Sequence, residues 1–192
     1  MHWGSEHAVE GHRYSGELQL VHYRKRYGGL GEAAGHAGGI AVVAVMLRED
    51  NESPNSEVEK IAEVLPSIEL KGEQTQTAEV VRVEELLPED RDYLTYHGSL
   101  TSPAGPGLEE GVLWAVLTSP VGVSSRALAR MTQLRHGGPG SARMVANNRC
   151  EPPAATAVSA RTLASTSTSA YTTSPASQDG GRAGWQERVQ AG

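Results

Sequence analysis

The sequence predicts a β-dominated α+β fold, and three observations carry that reading. Four segments have the spacing or composition of strands, long loops separate them, and only two stretches have the period and caps of a helix. Glu17, Gln19, Val21 and Tyr23 alternate with Leu18, Leu20 and His22, which gives the first strand two distinct faces. Ile40 to Leu47 is apolar and rich in β-branched residues throughout, the pattern of a strand covered on both faces. Ala78–Val83 and Gly111–Thr118 are predicted as two further strands. Asn55 or Ser56 caps a first helix, with Val58, Ile61, Ala62 and Leu65 inward and Pro66 ending it. Ser124 or Ser125 caps a second, with Leu128, Met131 and Leu134 inward and Gly137–Gly138 after it.

Composition bounds the function. The chain has 192 residues and a formal charge of −6, from 17 Lys and Arg against 23 Asp and Glu. That balance argues against a nucleic-acid partner, which calls for a basic face. The run Ile40–Leu47 is too short for a membrane span. A single Cys, Cys150, excludes an internal disulfide and a Cys-rich zinc module. No basic and apolar leader is read before the first motif. Composition then changes near residue 151: from Ala154 to Ser177, 19 of 24 residues are Ala, Ser or Thr, and a Gly-rich end follows. Residues 1–150 are expected to be globular, and 151–192 to form a disordered Ala/Ser/Thr/Gly-rich tail. Small side chains offer too little apolar surface to offset the entropy of ordering them. A mucin-like stalk and an incorrect reading frame or exon stay open as alternatives for that tail.

Three segments carry the candidate chemistry: His-Trp-Gly-Ser-Glu-His at 2–7, Glu-Leu-Gln-Leu-Val-His at 17–22 and Gly-Ser-Leu-Thr-Ser-Pro at 98–103. Leu86-Leu-Pro88, Val112-Leu-Trp114, Val123-Ser-Ser125 and Met144-Val-Ala-Asn147 accompany them in order. Over residues 2–150 this set resembles the alpha-class carbonic anhydrases. The resemblance implies that family's large twisted, mostly antiparallel sheet, here lacking its N-terminal part, with few short helices and a cone-shaped cleft. It also implies a catalytic zinc and the reversible hydration of carbon dioxide to bicarbonate. Zinc on three neutral imidazoles keeps a fourth position open and lowers the pKa of its water from about 15.7 to about 7. In the family two ligands come from a His-x-His pair on one strand, and the third from the neighbouring Glu-Leu-His-Leu-Val-His strand.

On the resemblance, His2 matches the second His of the pair, the first has no counterpart, and Gln19 stands at the third ligand position. Glu17 matches the carboxylate that orients the third ligand. Thr101 matches the hydroxyl that orients zinc-bound hydroxide, and Glu6 the carboxylate behind it. Val21, Val42, Leu100, Val112 and Trp114 match the apolar pocket wall, and Ser102 replaces a more usual Thr. His7 and His22 match structural positions, while His12, His36, His97 and His136 are expected in solvated turns. One of three zinc ligands therefore remains. A structural zinc site is worth about 10–16 kcal/mol over four ligands, so losing two costs about 5 kcal/mol or more. That is on the order of a thousandfold in affinity. A Gln carbonyl oxygen suits hard cations better than zinc. The expectation is a carbonic anhydrase whose zinc binding and hydration of carbon dioxide are weak or absent. The alternative is a catalytically inactive, carbonic-anhydrase-related binding module for a protein partner that the sequence does not identify. The absence of a Cys after Pro103 tilts the compartment toward the cytosol, with secretion open if a leader lies upstream.

Overall fold

Alternation in residues 16–24 and the apolar run that follows build the centre of one mixed sheet. The computed structural model of the chain describes residues 1–70, 72–100, 111–135, 161–162 and 185–189. In chain order the elements are β1 (His2–Trp3), β2 (Ala8–Val9), β3 (His12–Arg13), β4 (Gly16–Arg24), α1 (Leu30–Ala34) and β5 (Ile40–Glu49). They continue with α2 (Ser56–Val64), β6 (Asp92–Gly98), β7 (Val112–Leu117), β8 (Val121–Val123), α3 (Ser125–Met131), β9 (Arg161–Thr162) and β10 (Trp185–Val189). The main sheet runs β1-β4-β5-β7-β6-β9, with β10 beside β4 and β8 beside β5, while β2 and β3 pair by themselves. Strand β4 pairs antiparallel with β5 from Gly16↔Leu47 to Tyr23↔Ile40. Strand β5 is parallel to β7 and β8, and β6 returns antiparallel to β7. The sheet is thus mostly antiparallel and the helices few and short, as the sequence predicts.

Period two divides the core. On the helix face, Leu18, Leu20, Val45, Leu47 and Leu117 pack with Val58, Ile61 and Ala62 of α2 and Met131 of α3. On the opposite face, Val21, Val42, Ala44, Met46, Trp114 and Val116 form a second buried cluster. Strand β5 contributes to both, which is why its sequence is apolar without alternation.

Local signals set the helices. The Asn55 side chain accepts from the N–H groups of Glu57 and Val58 at 3.0 Å, and Ser124 Oγ from that of Ala127 at 3.1 Å. Glu59 of α2 accepts from both the N–H and the hydroxyl of Ser124, at 2.9 and 2.8 Å, and so joins α2 to the start of α3. Pro66 falls in a 3-10 turn, Leu65–Ser67, that closes α2. Of the inward set, Leu128 is half-buried, while Met131 and Leu134 are buried.

Two expectations need correction. Ala78–Val83 is not a strand; the segment leads into a 3-10 turn over Val83–Leu86. Among the described residues its β-branched side chains have no partner strand. Instead the Arg82 N–H donates to the Glu57 carboxylate at 2.8 Å, Glu79 faces Lys60 Nζ at 3.5 Å, and Val80 is left 81% exposed. Conversely, residues 92–98 form a strand that the sequence reading had not identified. His12 and His97, expected in turns, lie in β3 and β6, though both are exposed; His36 does lie in an exposed turn. The short strands β9 and β10 come from beyond residue 151 and extend β6 and β4. His136, Gly137–Gly138, Met144–Asn147 and Cys150 lie outside the described residues.

Candidate functional site

The site is assembled where β1 meets β4. His2 pairs opposite Glu17 and Trp3 opposite Gly16. The two strands approach so closely that a side chain at Gly16 would meet the His2 carbonyl oxygen at 2.9 Å. The chain then turns at Gly4, whose φ of 66° lies in the left-handed region. Gly4 and Ser5 bond back to the carbonyls of Ser15 and Tyr14, and Arg13 donates to the carbonyls of Ser5 and Glu6 at 2.9 Å. This anchoring directs Glu6 and His7 inward, with relative exposures of 0% and 3%. Alternation along β4 brings Glu17 and Gln19 to meet them from the same face.

Six side chains make a continuous network. Glu17 is fully buried and accepts from the His7 N–H, His7 Nδ1 and Gln19 Nε2, each at 2.9 Å. His7 Nε2 lies 2.6 Å from the Tyr96 hydroxyl, and its ring centroid is 4.9 Å from that of Trp114. Gln19 Nε2 also donates to Glu6 Oε2 at 3.1 Å, while Gln19 Oε1 meets His2 Nε2 at 3.2 Å. His2 Nδ1 lies 3.2 Å from Glu6 Oε1. Among the described residues no buried side-chain nitrogen or oxygen lacks a partner.

Electrostatics follow from that packing. Burial is the largest influence on Glu17 and opposes its ionisation, yet the His7 ring, the Gln19 amide and the His7 backbone N–H together outweigh it. The Glu17 carboxyl is held below its ordinary value. Burial is also the largest influence on His2 and lowers its pKa, as does the nearby amino terminus; Glu6, Glu17 and Gln19 pull the other way and lose.

These atoms can be compared with what zinc requires, which is several ligands with free lone pairs converging on one point. Both ring nitrogens of His2 are already turned to oxygens, of Gln19 and of Glu6. The Gln19 carbonyl faces His2, and its nitrogen faces two carboxylates. Among the described residues, no three or more His, Cys, Asp or Glu are arranged to hold a metal ion. The residues at this place do not fit zinc.

The structure brings together His2, Glu6, Glu17 and Gln19. It also gathers Val21, Val42, Val112 and Trp114 as a buried wall on the same face, with Leu100 partly buried against it. Trp114 is fixed by its indole N–H, which donates to the Ser99 carbonyl at 3.2 Å. Thr101 and Ser102 lie outside the described residues. His7 is the paired packing histidine expected of it, and His22 sits half-buried on the opposite face of β4. Tyr96 was missed. Its own strand was unrecognised, and its partner His7 is 89 residues away, so no local signal marks it.

A mostly antiparallel sheet carrying a His, Glu and amide floor beneath an apolar wall defines a carbonic-anhydrase-type framework. The sequence model of eukaryotic-type carbonic anhydrases matches residues 1–160. Carbonic anhydrase 1 of Monodelphis domestica is 36% identical over 140 residues, covering 69% of this chain and 51% of that protein. Carbonic anhydrase 3 of Bos taurus is 38% identical over 140 residues, covering 70% and 52%. The chain belongs to the carbonic anhydrase family. It spans about half the length of the curated relatives it matches. The family is zinc-dependent, and its substrates are carbon dioxide and bicarbonate. No helix among the described residues is long and apolar enough to cross a membrane.

Proposed function

We propose that this chain is a carbonic anhydrase family protein in which zinc-dependent hydration of carbon dioxide is weak or absent. The observation that supports the reading is the 3.2 Å contact between His2 Nε2 and Gln19 Oε1. It commits to each other the two groups that occupy ligand positions by resemblance. One imidazole and one amide hold zinc poorly, because the amide oxygen at position 19 suits hard cations better than zinc. The roles inherited by resemblance remain part of the proposal. Thr101 and Glu6 would orient hydroxide, Glu17 would position residue 19, and Val21, Val42, Leu100, Ser102, Val112 and Trp114 would hold the substrate. The division near residue 150 between a folded unit and an Ala/Ser/Thr/Gly-rich extension is likewise proposed, and limited proteolysis checks it.

The test is direct. The purified chain is dialysed against a chelator, its zinc is counted by atomic absorption, and carbon dioxide hydration is followed by stopped flow. Zinc well below one atom per chain and a rate at the level of buffer are expected. One tightly retained zinc per chain, with hydration above buffer, overturns the reading.

A second reading, a metal-free module that binds a protein partner, is favoured by one feature. The polar floor is buried and fully paired by the chain's own atoms, so a folded platform does not call for a metal.

A further inference from the structure

Residue 19 sits where two buried carboxylates and an imidazole converge. Glu6 and Glu17, both 0% exposed, need hydrogen-bond donors, and His2 Nε2 donates to the Gln19 oxygen in its Nε2–H tautomer. A carboxamide is the uncharged side-chain group that supplies two N–H donors and a carbonyl acceptor from adjacent atoms. Gln19 uses all of them: Nε2 donates to Glu17 at 2.9 Å and to Glu6 at 3.1 Å, and Oε1 accepts from His2 at 3.2 Å. The flipped amide would set its oxygen against both carboxylates and its NH2 against a ring N–H, so the surroundings dictate the orientation.

We propose that the Gln19 carboxamide is a built-in cross-link that takes the structural place of a metal ion, joining β1, the Glu6 segment and β4 by hydrogen bonds without zinc. The proposal rests on the metal-free reading of the site given above. A metal would draw His2 and residue 19 together by coordination; here an amide does so by hydrogen bonds. The connection also extends further than a metal centre would. From Gln19 it runs through Glu17 and His7 to the Tyr96 hydroxyl on β6, passing over β5 and β7.

No other side chain of similar size meets all three demands. Histidine at 19 offers one donor in its neutral form, so at most one of the two bonds to Glu6 and Glu17 is kept. Glutamate offers none and adds a third carboxylate. Leucine keeps the volume and removes all three of the hydrogen bonds that Gln19 makes.

The experiment compares thermal melts of the full chain as wild type, Gln19→Leu, Gln19→Glu and Gln19→His, in chelator and in excess zinc. The wild type is expected to melt at the same temperature in both. Each variant is expected to melt about 5 °C or more lower in chelator, because hydrogen bonds that join β1, the Glu6 segment and β4 are lost. Zinc is not expected to rescue Gln19→Leu or Gln19→Glu. A second measurement needs no variant: exchange of the Gln19 side-chain NH2 protons, followed by NMR, is expected to be much slower than that of the exposed Gln74 and Gln76. Gln19 protons that exchange as fast as those two overturn the proposal, whether or not the variants fold. A metal-free wild type with Gln19→Leu equally stable also overturns the cross-link alone. Tightly held zinc in the wild type overturns the metal-free reading beneath it.

Discussion

Glu17 and Glu57 are both fully buried carboxylates of one small chain, and they are stabilised by different means. Glu17, on the face of the sheet opposite the helices, draws its hydrogen bonds from a backbone amide, an imidazole and a carboxamide. Glu57, in the first turn of α2, faces Lys60 Nζ at 2.7 Å and the Arg82 N–H at 2.8 Å. Those two contacts, the lysine first, hold the Glu57 carboxyl below its ordinary value, and the same contact raises Lys60. The difference reflects depth. Lys60 keeps 22% of its side chain in solvent, so its charge stays partly hydrated while it reaches inward. Inside, an imidazole, a carboxamide and a backbone N–H hold the carboxylate; nearer the surface a lysine does.

That contrast can be broken or sharpened by four measurements, the largest effect first. Trp114 and Leu18 are each 0% exposed and lie on opposite faces of the sheet. Trp114→Ala and Leu18→Ala are each expected to cost about 3–5 kcal/mol in urea unfolding. If either proved nearly neutral, its face would not be part of the cooperative core. Tyr96→Phe removes the 2.6 Å contact on His7 Nε2 and leaves that nitrogen buried and unpaired. About 1–3 kcal/mol should be lost, read as a shift of the urea midpoint with unchanged slope. Asn55→Ala removes the cap from α2, and about 1 kcal/mol should follow by the same assay.

The smallest effect separates the two carboxylates by pH and salt. Both have folded pKa values below the ordinary 4.5, so the unfolded chain binds their protons more readily. Stability from both is present above about pH 4.5 and is lost as pH falls from there through the lower folded values. Salt at about 1 M shortens screening to roughly 3 Å and should weaken the contribution of Lys60 and Glu57 but leave that of Glu17. An acid-unfolding midpoint whose salt dependence is the same in wild type and Lys60→Met would remove the distinction.

Much of this architecture is legible locally. Alternation in residues 17–23 marks β4, the two-sided apolar run marks β5, and Asn55 and Ser124 act as caps where their residue types place them. That Gln19 places an amide between the apolar Leu18 and Leu20 is equally plain. Ala78–Val83 shows where such reading stops. Its composition is that of a strand, but strand formation needs a neighbour with free hydrogen-bonding groups, and the neighbour it meets is the Glu57 carboxylate. Asp92–Gly98 fails in the opposite sense: its pattern is weak, and β7 supplies the partner that makes it a strand.

Covalent spacing alone settled which faces are apolar, where the helices begin, and that residue 19 carries an amide. Chain approach decided what that amide does. His2 and Gln19 are 17 residues apart, and His7 and Tyr96 are 89 apart, yet each pair meets within hydrogen-bonding distance. Periodicity depends on neighbours along the backbone, whereas a buried polar group is satisfied by whatever the fold brings beside it, and only packing selects that partner.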